Sequence, residues 1–353
     1  MSSLTTSHER ALMLLFAELE STAAEQTAGF LGTPGTLAER TNENGTTFWV
    51  HRFSDAVGRR RETYLGRVDD PAVVAHVGNL RARIEAANAT ISRVRLLARA
   101  GFMTVDRKAY STLTSLANHG LFRAGALLIG SHAYGTLLNA LAVRAVPYST
   151  EDVDIARREA LALTGLPSFL DMLRETGIEF FAVPQLDRGA PATSFTERGG
   201  SRLRVNLLVP STNDDFPLIA VPELKAHATG LPYLAYLLSL SQEVPVLSAY
   251  GVVMVRVPVP ERYAIHKLIV SQLRAKTSGK AEKDLHQAAT LIEAVTERFP
   301  GAVEAALAAV PKSAVRHVVG ALKALKAHLP ASAEAAWEAL ATLRDLRTAH
   351  KHI

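Results

Sequence analysis

The spacing of apolar residues changes sharply within residues 125–156. Residues 127–129 form a short apolar run of strand length, and Gly130 and Ser131 end it. From residue 133 to residue 143, apolar side chains return at helical spacing. The pattern therefore predicts a buried strand, a tight turn and a helix, and the other predicted elements are arranged around this unit.

Two acidic residues follow on the next strand-like segment. Asp152 and Asp154 flank Val153, and this alternation predicts a strand on which residues i and i+2 share a face. By the strand rise, their backbones lie about 6–7 Å apart. Carboxylates held this close repel each other unless a cation lies between them. Mg²⁺ or Mn²⁺, which bind oxygen ligands and can share substrate phosphates, would supply that cation.

The chain before this unit predicts helices around a β-hairpin. Apolar residues at i, i+3, i+4 and i+7 predict a helix over residues 8–20, and the Gly- and Thr-rich residues 22–46 predict a loop. Aromatic and β-branched residues on both sides of a glycine-containing turn predict a hairpin over residues 47–66. Two more helices are expected, over residues 71–100 and residues 106–119.

The predicted hairpin combines basic and aromatic side chains: Arg52, Arg59, Arg60, Arg61 and Arg67 beside Trp49, Phe53 and Tyr64. Such a combination suits a nucleic-acid backbone and its stacked bases. The simpler interpretation, which we favour at this stage, is that the aromatic rings pack on a neighbouring element and the arginines are solvated. The residues alone leave both interpretations open.

The second half of the chain predicts short strands and then helices. Strands are expected over residues 178–183, 193–198, 202–209 and 252–259, and helices over residues 167–176, 261–274 and 285–299. A loop followed by a short helix is expected within residues 222–240. Residues 276–283 predict a basic loop, with Asp284 opening the next helix. Two or three Ala- and Leu-rich helices are expected beyond residue 303.

These elements predict an α/β (α+β) fold. A small mixed sheet with helices is flanked by an N-terminal helix and β-hairpin region and by a C-terminal, mostly helical region. The expected divisions are residues 1–105, 106–220 and 221–353. A chain of 353 residues is long enough for two or three domains with a large core.

Composition narrows the classes of protein. The absence of cysteine excludes disulfides and thiolate metal sites. Neither a secretory signal nor an uninterrupted apolar span is recognisable, so a cytoplasmic protein with no membrane partner is predicted. The net charge of +5 permits a polyanionic partner without requiring one. No His-Glu-x-x-His helix and no Gly-x-Ser-x-Gly turn occurs, which argues against a zinc peptidase or a serine hydrolase.

The strand, Gly130-Ser131 turn, helix and Asp152-Val153-Asp154 strand resemble the nucleotidyltransferases of the DNA polymerase β superfamily. The resemblance implies that Gly130 and Ser131 bind nucleotide phosphates and that Asp152 and Asp154 are catalytic metal ligands. The twenty residues between Ser131 and Asp152 exceed the usual gap, and the excess lies in a predicted loop at the mouth of the site.

A later pattern, Lys267, Arg274, Lys283 and Asp284, is similar to AbiEii-type and related bacterial nucleotidyltransferases, and most similar to the family-8 group. It implies that Lys267 and Arg274 bind the phosphates of the NTP and that Asp284 lies near the catalytic centre. The alternative is that Lys267 and Asp284 are surface groups, with Asp284 capping its helix.

The third carboxylate of the superfamily is missing, because Asn206 occupies its best candidate position. An amide oxygen can ligate a cation but is a poor general base. The prediction is a Mg²⁺-dependent transfer of NMP from an NTP to an acceptor hydroxyl. RNA or a tRNA end suits the basic hairpin and the toxin-like resemblance, and a small molecule or a protein hydroxyl is equally compatible with the chemistry. The alternatives are a nucleotide-binding regulator and a nucleic-acid-binding module. His132, directly after the Gly-Ser turn, could also contact a ligand.

Overall fold

The computed structural model describes residues 3–148, 150–187, 189–199, 203–212, 216–274 and 279–349, with side chains described up to Leu343. The described helices are α1 (Arg10–Ala24), α2 (Pro71–Arg99), α3 (Arg107–Asn118), α4 (Gly130–Ala140), α5 (Phe169–Arg174), α6 (Leu234–Leu237), α7 (Pro260–Leu273), α8 (Gly279–Arg298), α9 (Ala302–Ala308), α10 (Lys312–Leu325) and α11 (Glu334–Ala349). The described strands are β1 (Thr6–Ser7), β2 (Thr36–Thr41), β3 (Thr47–Ser54), β4 (Arg60–Arg67), β5 (Ala126–Ile129), β6 (Val143–Arg144), β7 (Asp152–Arg157), β8 (Phe180–Ala182), β9 (Ser194–Glu197), β10 (Arg204–Ser211), β11 (Leu218–Val221), β12 (Ala226–Pro232), β13 (Ser241–Ser248) and β14 (Gly251–Pro258).

A mixed sheet forms the centre of the fold, as the sequence predicts. Its main path runs β11-β12-β10-β7-β5, and β9 pairs with both β10 and β8. Strands β7, β10 and β12 are parallel, whereas β5 runs antiparallel to β7. The α/β (α+β) fold class is therefore confirmed.

Apolar and polar side chains alternate along β7 and β10, so one face of these strands is apolar and the other carries polar groups. Val153 and Ile155 on β7 are buried, and so are Val205 and Leu207 on β10. Because successive side chains point to opposite faces, the residues between them lie together on the other face. This face carries the two aspartates of β7.

The hairpin of β13 and β14 lies between the N-terminal helices and the sheet. Strand β14 contacts β5 as well as α1, α2 and α3, and β13 contacts α4. Both strands are rich in buried valine, which suits strands with both faces covered. The hairpin thereby joins the N-terminal helices to β5 and α4.

The C-terminal helices pack on one another. Helix α7 contacts α8, α9 and α10, and α11 contacts α8 and α9. Helix α7 starts with a proline, Pro260, where the missing N–H costs no helical hydrogen bond. The N-terminal segment also reaches this region, because Leu4 N donates to Glu293 on α8.

The predicted β-hairpin of the N-terminal region is confirmed and belongs to a three-stranded sheet. Strands β3 and β4 pair antiparallel, and β2 adds to the far side of β3. The prediction of a loop over residues 22–46 is therefore wrong where β2 forms. Strand β2 is mostly polar and exposed, so its apolar pattern is weak, and its pairing with β3 decides its structure.

Three other expectations need correction. Within residues 222–240 the chain forms β12 as well as the short helix α6, because β12 pairs with β10 and β11. Strand β13, which was not predicted, pairs along its whole length with β14. Helix α8 begins at Gly279 rather than at Asp284, so Asp284 lies within the helix and does not cap it. Of the predicted basic loop, residues 276–278 lie outside the described residues, and residues 279–283 belong to α8 instead.

The predicted divisions at residues 105 and 220 stay predictions. Strand β12 and the β13–β14 hairpin follow residue 220, in the region expected to be mostly helical, and five helices come after them. Within the described ranges, no helix is both long and apolar enough to cross a membrane.

Candidate active site

The turn after β5 brings Gly130 against the carboxylate of Asp154. Gly130 has a φ of +70°, a conformation that glycine adopts without steric cost. A Cβ atom here would collide with Oδ2 of Asp154, so the close approach requires glycine. Ser131 follows in the first turn of α4, where backbone N–H groups favour an anion. The Gly130 carbonyl also accepts a 2.7 Å hydrogen bond from the hydroxyl of Tyr263 on α7.

Asp152 and Asp154 lie on one face of β7, as their spacing predicts. Asp154 is in register with Ile129 at the end of β5 and with Asn206 on β10. Burial raises the pKa of the Asp154 carboxyl, and the negative charge of Asp152 raises it further, whereas the hydrogen bond from Asn206 opposes this shift. Burial therefore leaves the ionised Asp154 carboxylate poorly solvated, and a bound cation would offset this cost.

Asn206 contacts Asp154 directly. Its Nδ2 donates to Oδ1 of Asp154 at 2.8 Å, and its Oδ1 accepts a 2.7 Å hydrogen bond from Ser194 on β9. Both ends of the amide are therefore engaged. The third-strand position identified from the sequence lies beside the two aspartates, and it carries an uncharged group whose orientation is set by Ser194.

Lys267, Arg274 and Asp284 form an ion-pair cluster between α7 and α8. Lys267 Nζ lies 2.6 Å from Oδ1 of Asp284, and Arg274 Nε lies 2.5 Å from Oδ2. The Asp284 side chain is only 3% exposed, while Lys267 is 12% and Arg274 35% exposed. The idea that Lys267 and Asp284 are surface groups is therefore wrong, and Asp284 holds two cations at the edge of the site.

Two further lysines extend this positive charge. Burial lowers the pKa of Lys283, the neighbouring Lys267 lowers it further, and Asp284 and Asp152 oppose the shift. The positive charge of Lys280 acts on Asp154, as that of Lys267 does. Three lysines on α7 and α8 therefore act on the carboxylates of β7, and Arg274 joins this group through Asp284. Such a concentration of charge suits a polyphosphate.

Comparison with known proteins decides the family. Residues 107–311, well over half of the chain, match the model of a family described as nucleotidyltransferase. The chain belongs to the nucleotidyltransferase family. It is accordingly a transferase enzyme, as predicted, and the matched segment contains the Gly-Ser turn, both aspartates of β7 and the cluster of cations. Membership of the AbiEii-like group stays a prediction.

A solved structure is also similar to this nucleotidyltransferase: the crystal structure of an antigenic nucleotidyltransferase-like protein from Paracoccidioides brasiliensis. The two share 17% sequence identity with a TM-score of 0.31, over 64% of this chain and 94% of that chain. A TM-score this low carries no argument about fold or function. No curated protein matches the chain.

The oxygen donors of the nucleotidyltransferase fit a divalent cation that is shared with its substrate. Within the described ranges no group of three or more His, Cys, Asp or Glu side chains could hold a metal ion. Two carboxylates nevertheless suffice for Mg²⁺, which usually keeps waters and binds through one or two carboxylates plus substrate phosphates. Asp152 and Asp154 form such a pair, and a bound cation would offset the burial and the repulsion from Asp152 that raise the pKa of the Asp154 carboxyl.

Sequence reasoning missed some residues of the site. Tyr263 is buried and links α7 to the Gly130 turn, but a tyrosine in an apolar helix is more often part of a core. Lys283 lies 5.1 Å from the ring centre of Tyr148, in the segment before β7 that was predicted to be a loop at the mouth. Lys283 belongs to the pattern that resembles bacterial nucleotidyltransferases but was given no role there, and the basic run before Asp284 was the available signal for Lys280.

Proposed function

We propose that this nucleotidyltransferase transfers NMP from an NTP to an acceptor hydroxyl, with Mg²⁺ or Mn²⁺ bound by Asp152 and Asp154. The observation that carries the proposal is the arrangement of charge. Two carboxylates share a face of β7 beside a glycine turn, and the cations of α7 and α8 act on them. A nucleoside triphosphate with a divalent cation complements both signs of charge.

Different residues of the chain would bind and orient different parts of the NTP. Ser131 and the N–H groups at the start of α4 would bind phosphate oxygens. Lys267 and Arg274 would form charge-assisted hydrogen bonds to the leaving pyrophosphate, in positions set by Asp284. When bound, the divalent cation neutralises the charge that develops on the triphosphate. The acceptor oxygen then bonds to the α-phosphorus as the bond to the bridging oxygen breaks, and pyrophosphate leaves.

Incubation with each NTP, labelled at its α-phosphate, tests the proposal in the presence of Mg²⁺ and total RNA. Label that moves into RNA or into a small hydroxyl compound supports transfer. Label that stays in bound, unconverted NTP would instead support the nucleotide-binding regulator, and no retained label at all would contradict both.

Lys267→Ala is expected to raise the KM for NTP by roughly tenfold or more, because one charge-assisted hydrogen bond contributes on the order of 1.5–3 kcal/mol. The fold should persist, since Asp284 keeps Arg274 as a partner. Nucleotide titrations measure the effect. Lys323→Ala, on the exposed side of α10, is the control and should bind NTP normally. Identical titration curves for the two variants would remove Lys267 from the nucleotide site.

A groove beside the N-terminal sheet favours RNA as the acceptor. It has a volume of about 870 Å³, and its described lining has five arginines and one glutamate. The arginines and the aromatic rings that accompany them are Arg40, Arg52, Arg60, Arg61, Arg95, Phe53 and Tyr250. Positive charge combined with aromatic rings is typical of single-strand binding. Tyr250 accepts a 2.9 Å hydrogen bond from Arg107 at the start of α3, so the groove reaches toward the catalytic half of the chain.

Some residues of the hairpin have a structural role, in line with the simpler interpretation in which its aromatic rings pack on a neighbouring element. Arg61 pairs with the buried Asp55 at 2.9 Å, and Arg81 of α2 lies 5.6 Å from the ring centre of Trp49. Arg40 and Arg52 share Glu62. The groove is therefore better tested at the arginines for which no such structural pairing is described.

Replacing Arg60 and Arg95 together by alanine is expected to weaken RNA binding and to reduce its salt dependence. Each lost contact with a single strand lowers the slope by roughly 0.7, so the double variant should lose roughly 1.4. Filter binding of total RNA at several salt concentrations measures the slope. Arg67→Ala, which removes an arginine paired with Asp69 outside the groove, is the control. NTP affinity should be unchanged, and equal slopes for all three proteins would contradict an RNA-binding groove.

A further inference from the structure

Neither Asn206 nor Asp284 is free to take the acceptor's proton. Asn206 uses its amide nitrogen on Asp154 and its oxygen on Ser194. Each carboxylate oxygen of Asp284 accepts a hydrogen bond from a cation, so a proton taken there would disrupt two ion pairs. Transfer to a hydroxyl still requires that its proton leaves. Another residue near the two aspartates must supply this role.

A cleft along α4 offers a second binding site next to the turn. It has a volume of about 460 Å³ and extends from Thr104 and Asp106, before α3, to Thr150, two residues before Asp152. Its described lining contains hydroxyl and apolar side chains, the carboxylate of Asp106 and the imidazole of His132, but no lysine or arginine, and Ser131 marks its border with the phosphate side. The cations lie instead on α7 and α8. A triphosphate therefore belongs on the cationic side, and this cleft suits an uncharged, hydroxyl-bearing group.

His132 lines this cleft in the first turn of α4. Its buried Nε2 has no hydrogen-bond partner, and a buried polar atom without a partner points to a missing ligand or water. Since the two ring orientations of histidine have nearly the same shape, either nitrogen can face the cleft. The charged groups that act on the ring are Asp106 at the N-cap of α3, Asp152 on β7 and Lys283 on α8.

The environment of His132 leaves it able to accept a proton. Burial lowers its pKa; the positive charge of Lys283 acts in the same direction, and Asp106 and Asp152 oppose it. The imidazole is therefore neutral at pH 7, with one nitrogen available as an acceptor. Asp106 itself is held in place, because its carboxylate accepts hydrogen bonds from the N–H groups of Lys108 and Ala109.

We infer that the cleft binds the uncharged, hydroxyl-bearing end of the acceptor, and that His132 accepts a hydrogen bond from the reacting hydroxyl and takes its proton. The inference rests on the proposed transfer of NMP. The hydroxyl oxygen bonds to the α-phosphorus, and the bond from that phosphorus to the bridging oxygen breaks, with its electron pair leaving on pyrophosphate. The hydroxyl proton passes to His132 and from there to solvent.

Kinetics of the variant His132→Ala test the catalytic part. The kcat for transfer of α-labelled NMP to total RNA should fall by roughly 10²-fold or more, the range of general-base catalysis. The KM for NTP should stay within about twofold, because no interaction with the NTP is removed. Added imidazole should restore part of the rate, and the rate of the variant should lose the decrease at low pH that a histidine base produces. His76→Ala, an exposed position on α2, should match the wild type.

Histidine NMR tests the cleft without any catalysis. The ring signal of His132, assigned by its absence from His132→Ala, should shift more on addition of uridine than on addition of inorganic triphosphate, which the neighbouring Ser131 is expected to bind. A shift with triphosphate but not uridine, or no shift with either, would overturn the inference, as would a normal kcat in His132→Ala. If the wild type shifts with uridine but transfers no NMP, the proposed function fails while the cleft assignment stands.

Discussion

Asp154→Asn is expected to abolish transfer of NMP, with a loss of roughly 10³-fold or more in kcat, the range seen when a group that neutralises phosphoryl-transfer charge is removed. The replacement keeps the shape of the side chain, and an amide oxygen can still accept the hydrogen bond from Asn206. What it removes is the negative charge that would hold the divalent cation. Asp152→Asn should behave in the same way, since both carboxylates share one face of β7. A labelled-NTP transfer assay measures the loss.

The control for charge removal is Asp69→Asn, which alters an exposed aspartate paired with Arg67 and should transfer at the wild-type rate. Mg²⁺ with a non-hydrolysable NTP should raise the melting temperature of the wild type but not that of Asp154→Asn. Full activity in both aspartate variants of β7 would show that the assigned site is wrong.

The raised pKa of Asp154 determines whether this carboxyl stabilises or destabilises the folded protein as the pH rises. Between the ordinary aspartate pKa of 3.8 and the raised value, the folded protein holds a proton that the unfolded chain has released. The stabilising contribution of this group is therefore present below the ordinary pKa and is lost as pH rises through the raised one. Without metal, Asp154→Asn should avoid this loss and be at least as stable as the wild type at pH 7, as chemical denaturation would show.

Asp284→Ala is expected to lower the free energy of unfolding by about 3 kcal/mol, the low end of the range for breaking a buried ion pair. The low end applies because Arg274 is 35% exposed and keeps part of its hydration. Lys267, only 12% exposed, would lose its partner and its fixed position, so the KM for NTP should rise as well. Denaturant unfolding and nucleotide titration measure the two effects.

Glu62→Ala is the matched control for this prediction. Glu62 also holds two cations, Arg40 and Arg52, but at the surface of the N-terminal sheet. Exposed ion pairs typically contribute about 0–1 kcal/mol, so this variant should unfold close to the wild type. Equal losses of unfolding free energy in Asp284→Ala and Glu62→Ala would mean that burial does not strengthen the ion pairs of Asp284.

Local patterns in the sequence were sufficient for the catalytic unit. The apolar run, the glycine turn and the helix after it were predicted from spacing, and the structure has them as β5, Gly130 and α4. The shared face of Asp152 and Asp154 also follows from the strand period alone. These features depend on residues that are close in sequence, so their periodicity and turn chemistry are visible there.

Strands that depend on distant partners were harder to predict. Strand β2 is polar and exposed and exists through its pairing with β3, and β12 exists through its pairing with β10 and β11. Asp284 was predicted to open a helix because aspartate is a common N-cap. In the structure α8 begins earlier, and Asp284 lies inside it, where it faces two cations of neighbouring segments.

Residues that are close in sequence specify the strand, turn and helix that carry Gly130, and the pair of carboxylates on β7. The surroundings of these groups depend on how distant segments pack. The contact of Asn206 with Asp154 joins residues 52 positions apart through the parallel pairing of β7 and β10, and the cluster of Asp284 is formed by the packing of α7 on α8. The separation of the cations of α7 and α8 from a cleft whose described lining has neither lysine nor arginine follows from the same packing, because the sequence contains the charges but not their positions in space.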